Sequence, residues 1–132
     1  MVPGAFVRVL FPTHEEPRVP GLRHIGYALG ATAGYAMVAY TTSQPWPADT
    51  PLPAGARLFS TREAIELNQP RGFLLRLDVL ARLPLTRDWF PDIDQPTQGI
   101  LAVAPGKLQA ELISIAANIA RRRRELLQMR GP

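Results

Sequence analysis

Cysteine is absent from this 132-residue chain, which removes disulfides and thiolate metal sites from consideration. Long apolar runs are missing as well. None approaches the roughly 20 residues that a helix needs to cross a bilayer, so no membrane partner is expected. The opening Met1-Val2-Pro3-Gly4-Ala5 has neither the basic stretch nor the apolar core of a signal peptide, and a cytoplasmic location is the default expectation. Histidine is scarce. His14 and His24 do not share a metal-ligand spacing, so no metal is expected. There is no Gly-rich phosphate loop of the Walker or dinucleotide type, no cofactor is expected, and no internal repeat is visible.

What is present describes one globular domain with a real core. Hydrophobic residues make up 46% and charged residues 20%, a folded rather than a disordered composition. The net charge of +4 is unevenly spread, since residues 1–120 carry ten basic and ten acidic side chains. The excess sits in the tail, where Arg121, Arg122, Arg123, Arg124 and Arg130 face only Glu125. Such a tail can attract a polyanion. It also reads, more plainly, as a solvated helix end whose cations complement the helix dipole.

The front of the chain reads as strands. Gly4–Phe11 is an apolar strand ended by Pro12, followed by a loop from Pro12 to Gly21 that holds a charged His14-Glu15-Glu16 centre. Arg23–Leu29 is a second strand, Gly30–Gly34 a turn, and Tyr35–Thr42 a third strand. The proline-rich segment from Pro45 to Gly55 is another loop, and Arg57-Leu58-Phe59 is a short strand. Ser60-Thr61-Arg62-Glu63 has the spacing of a capping box and opens a short helix through Asn68. From Phe73 to Leu80, Arg76 and Asp78 alternate with Leu75, Leu77 and Val79, as in a half-buried strand that Ala81–Leu85 extends with a bend, a helix being the competing reading because leucine and arginine tolerate both. Ile100–Val103 is a last short strand. A helix from about 105 to 128 follows, its stripe carried by Leu108, Leu112, Ile115, Ile119 and Leu126.

The chemistry concentrates where the third strand ends. Met37-Val38-Ala39-Tyr40 runs straight into Thr41, Thr42, Ser43 and Gln44, and the Pro45-Trp46-Pro47 that follows cannot continue a central strand. Hydroxyls at the end of a rigid strand can face a substrate. Arg23 puts a fixed cation at the start of the neighbouring strand, and an arginine with hydroxyls suits a phosphate.

Gly4–Phe11, the His-Glu-Glu-Pro loop, Leu22-Arg23 and Val38-Ala39-Tyr40-Thr41-Thr42-Ser43 together resemble the PemK/MazF family of type II toxins. Trp89-Phe90 and Thr97-Gln98-Gly99-Ile100-Leu101 are similar to later segments of those proteins, so the resemblance spans about residues 4–120. It implies an SH3-like small β-barrel with a short internal helix and a C-terminal helix, acting as a homodimer. It also implies a metal-independent endoribonuclease, an mRNA interferase and growth inhibitor, which cuts single-stranded RNA and is silenced by a cognate antitoxin protein. The family's arginine matches Arg23 and its strand-end threonine matches Thr42, with Thr41 and Ser43 one register step away. His24 departs from the pattern, standing where the family has proline.

Cleavage of this kind uses the RNA's own 2′-hydroxyl as nucleophile. A guanidinium is a permanent planar donor fork for the phosphoryl oxygens, the role expected of Arg23, with Thr42 and Ser43 holding the phosphate. Imidazoles can move protons at neutral pH, which makes His24 and His14 candidate acids or bases. Adjacent strand residues face opposite ways, so His24 and Arg23 share a site only if the strand bends. Thr41, Gln44 and Trp46 complete the expected substrate contacts, Trp46 by stacking on a base. Plainer readings stand beside these: threonine is a good strand former, arginine a common surface ion-pair partner, histidine an ordinary loop residue. Two alternatives therefore remain, a catalytically inactive barrel that binds a protein partner and a gyrase-inhibiting toxin of the same fold. The balanced charge of residues 1–120 favours the first of these. The absence of an aromatic residue in the last five positions speaks against the second.

Overall fold

Strands with alternating apolar residues bury two sheet faces only if something covers each face, and this chain supplies both covers. The computed structural model describes residues 1–122 and 127–130. The elements in order are β1 (Ala5–Leu10), β2 (Arg23–Thr32), β3 (Tyr35–Thr42), β4 (Ala56–Phe59), α1 (Thr61–Glu66), β5 (Phe73–Pro84), β6 (Ile100–Val103), α2 (Gly106–Arg122) and β7 (Leu127–Arg130). Six antiparallel strands run in the order β4-β5-β3-β2-β1-β6 and curl into a half-barrel, and β7 pairs in parallel with β5.

Three register irregularities accompany the curl. They fall between Phe6 and Val7 of β1, between Ala28 and Gly30 of β2, and between Ala39 and Tyr40 of β3. An extra residue on one strand bends it and raises the local twist. The last irregularity is the largest: Ala39 pairs with Leu80 while Tyr40 pairs with Arg76, leaving Leu77, Asp78 and Val79 looped out of that ladder. There Leu77 N–H donates to the Gly55 carbonyl at 2.8 Å, and the Arg76 guanidinium spans the loop to Asp78 with bonds of 2.9 and 2.7 Å.

That interruption flips the faces of β5. Leu75 and Leu77 join Phe6, Tyr27, Phe59, Phe73, Leu112 and Ile119 in one core beneath the helices. Val79, Ala81 and Leu83 join Val7, Val9, Val38, Trp89 and Phe90 in a second core, covered by the segment before β6. The half-buried pattern expected for β5 is thus corrected. Both of its faces are covered, and even Asp78 is only 7% exposed, held by Arg76.

The capping box forms as its spacing requires: Ser60 Oγ accepts from Glu63 N–H, and the Glu63 carboxylate accepts from Ser60 N–H. The α2 stripe also lands as expected, with Leu112 and Ile119 fully buried and Leu108 and Ile115 packed against the same core. Leu126 lies outside the described residues. The helix expected to run to about residue 128 is corrected at its end, because Leu127–Arg130 is a strand rather than the last helical turn, the described helix being Gly106–Arg122. No helix among the described residues is long and apolar enough to cross a membrane.

Candidate functional site

The start of β2, the end of β3 and the start of β5 lie at one end of the sheet, because β3 is antiparallel to both neighbours. At that end the sheet opens. The β2–β3 ladder stops at Tyr27–Ala39, whereas β2 continues beside β1 to Arg23–Leu10 and β3 continues beside β5 to Thr42–Leu74. Each strand keeps its outer partner and parts from its inner one. The result is a cleft of about 500 Å³ between the strand ends.

Three guanidiniums line it, those of Arg8, Arg23 and Arg71, together with His24, Thr42, Ser43, Gln44 and Gln69. No carboxylate is among the lining residues. Arg8 reaches Asp92 at 3.3 Å, an ion pair with both partners partly exposed. Among the described residues neither Arg23 nor Arg71 has an acidic partner. Two guanidiniums without an acidic partner, beside a third whose one ion pair is partly exposed, make the cleft electropositive, and the arrangement favours an anion.

Each side chain arrives by a local rule. Arg8 is the polar residue of β1 between Val7 and Val9 and sits opposite Ile25. Arg71 rides the turn that joins α1 to β5. Gly72 lets that turn close against β4, since a Cβ there would come within 2.5 Å of the Phe59 carbonyl. Thr41 is 4% exposed, and its hydroxyl donates to the Ile25 carbonyl, filling an acceptor that the β2–β3 ladder has left open. Its role is to hold the cleft's floor. Thr42 Oγ1 accepts the Gln44 N–H at 3.2 Å, which leaves the hydroxyl proton available to a ligand.

His24 and Arg23 both line the cleft although they alternate along β2, because the open end of the sheet is reached from both faces. The His24 Nδ1 lies 3.2 Å from the Leu22 carbonyl. With the proton on Nδ1, that contact is a hydrogen bond and Nε2 is a free acceptor. The imidazole rests against Tyr40, ring centroids 5.1 Å apart, and Tyr40 in turn against Phe11 at 5.2 Å.

Of the residues singled out in the sequence, Arg23, His24, Thr41, Thr42, Ser43 and Gln44 come together here. His14 and Trp46 do not. His14 is exposed and lines a neighbouring cavity, and Trp46 Nε1 donates to the Thr50 carbonyl within its own loop at 2.9 Å. Arg8, Gln69 and Arg71 were not singled out. Arg71 did leave a trace, as an arginine in a Pro-Arg-Gly turn with no acidic residue within four positions. Nearby, the hydrogen bonds to Asp78 raise the Arg76 pKa. The described residues hold no group of three or more His, Cys, Asp or Glu side chains able to bind a metal ion. Searches against family models, curated proteins and solved structures find no match to the chain.

Proposed function

We propose that this chain is a ribonuclease toxin of the PemK/MazF type, built on an SH3-like barrel, which cleaves single-stranded RNA in the cytoplasm without a metal ion. One observation carries the reading: Arg8, Arg23 and Arg71 converge with Thr42 and Ser43 at the opened sheet end, with no carboxylate among the lining residues. A phosphodiester needs that set of donors. Arg23 neutralises the phosphoryl oxygens as charge grows on them, the Thr42 and Ser43 hydroxyls hold that phosphate in place, and Arg8 and Arg71 meet the phosphates on either side. His24, its Nδ1 held on the Leu22 carbonyl, accepts the 2′-hydroxyl proton at Nε2 as that oxygen attacks phosphorus. The products are a cyclic phosphate and a 5′-oxygen protonated from solvent. A homodimer and a cognate antitoxin protein belong to the same proposal.

The test is incubation of a mixed-sequence single-stranded RNA with the purified protein in EDTA, beside Arg23→Ala and His24→Ala. Cleavage at defined sites, lost in both variants while their thermal unfolding is unchanged, supports the proposal. A folded wild type that binds the RNA but leaves it intact would replace it with a non-catalytic binding barrel.

A further inference from the structure

The tilted ring pair of His24 and Tyr40 is a wall between two cavities. On one side is the arginine cleft, and on the other is a cavity of about 290 Å³ whose lining includes Phe11, Thr13, His14, Leu22 and Arg76. Two properties define the second cavity. It has aromatic and apolar surface, with the Tyr40 ring backed by buried Phe11, the His24 ring tilted against it and Leu22 at its rim 80% exposed. Its polar edge is also rich in donors. Thr13 Oγ1 accepts from Glu16 N–H and so keeps its own proton to give. Arg76 uses Nε and Nη2 on Asp78, leaving Nη1 without a hydrogen bond among the described residues. No carboxylate lines this cavity either.

We infer that this cavity is a nucleobase subsite, taking the base of a nucleotide whose phosphate lies in the arginine cleft, and that it favours a base presenting ring carbonyls, such as uracil. The inference rests on the cleft being an RNA site. It follows from continuity, because His24 and Tyr40, shared by both cavities, put two aromatic rings beside the phosphate donors. It follows also from complementarity, since the Thr13 hydroxyl and the free Nη1–H of Arg76, with no carboxylate beside them, suit the O2 and O4 carbonyls of uracil better than the amino group of cytosine. The family resemblance does not supply it, because His24 stands where that family has proline.

Binding, rather than cleavage, tests it. Fluorescence anisotropy would compare pentauridylate, pentacytidylate and an abasic ribose-phosphate pentamer on the wild type, Leu22→Ala and Arg76→Gln. Pentauridylate should bind about tenfold or more tighter than the abasic strand, the scale of one stacked base. Leu22→Ala should reduce that advantage while leaving abasic binding unchanged, and Arg76→Gln should remove the preference for uridine over cytidine. Leu22→Ala carries the test should Arg76→Gln fail to fold. Equal binding of all three strands, or of uridine and cytidine strands, would overturn the subsite while leaving the phosphate cleft standing. No binding of any strand would overturn the cleft reading and this inference with it.

Discussion

Arg71 is the sharpest handle on the cleft, because it is exposed, sits in a turn and has no acidic partner among the described residues, so its removal should leave the fold intact. Three arginines line the cleft, and each phosphate neutralised on a single strand contributes about −0.7 to the slope of log K against log salt. The cleft alone then contributes a slope of about −2, and Arg71→Ala should bring it to about −1.4. Between 50 and 200 mM salt the cleft's share of affinity for a short single-stranded RNA should fall about 20-fold in the wild type and about 7-fold in the variant. Arginines of the tail add equally to both proteins, so the difference isolates Arg71. Anisotropy titrations at four salt concentrations read it directly. Equal slopes and equal affinities in the two proteins would refute the claim that Arg71 meets a phosphate.

Three further outcomes concern the frame around the site. Thr41→Val keeps the shape of a buried side chain but deletes its bond to the Ile25 carbonyl, and should cost about 1–3 kcal/mol in urea unfolding. Gly26→Ala puts a methyl group against Val38 Cγ1 and 3.0 Å from Val9 Cγ1, both fully buried side chains, and should cost about 1–3 kcal/mol in the same assay. The Glu63 carboxyl is held down from 4.5 to about 2, first by its hydrogen bond to Arg57 and then by the Ser60 N–H. A depressed carboxyl stabilises the fold above its unfolded pKa and loses that contribution as pH falls through its folded value, here between pH 4.5 and about 2. Its side chain is 41% exposed, so solvent screening limits the loss to at most about 1 kcal/mol. Acid titration of Tm should show a shallower decline over that window in Glu63→Gln.

Local periodicity carried much of the fold. Tyr35–Thr42 and Ile100–Val103 are strands with the boundaries expected from their apolar runs and the punctuation around them. The Ser60–Glu63 box and the α2 stripe rest on bonds and spacings within a few residues, and both are realised. Where the reading failed, the cause was non-local. The odd positions from Phe73 to Leu83 are apolar without a break, yet the three-residue irregularity opposite Ala39–Tyr40 moves them from one core to the other. Nothing in the local pattern marks that shift, because the pairing of β5 with β3 sets it.

The candidate site divides along the same line. Hydroxyls placed at the end of an apolar strand, and an arginine opening the strand before it, are properties of neighbouring residues, and the sequence alone was enough to single out Thr42, Ser43 and Arg23. The gathering of Arg8 and Arg71 around them was decided by tertiary structure, since 63 positions separate those two arginines. So was the opening of the sheet that makes a cleft of the strand ends. A strand's hydroxyl run records which residues can meet a phosphate. Whether β2 and β3 stay paired there depends on how strongly β1 and β5 hold them from outside, a balance of long-range contacts that no short stretch of chain encodes.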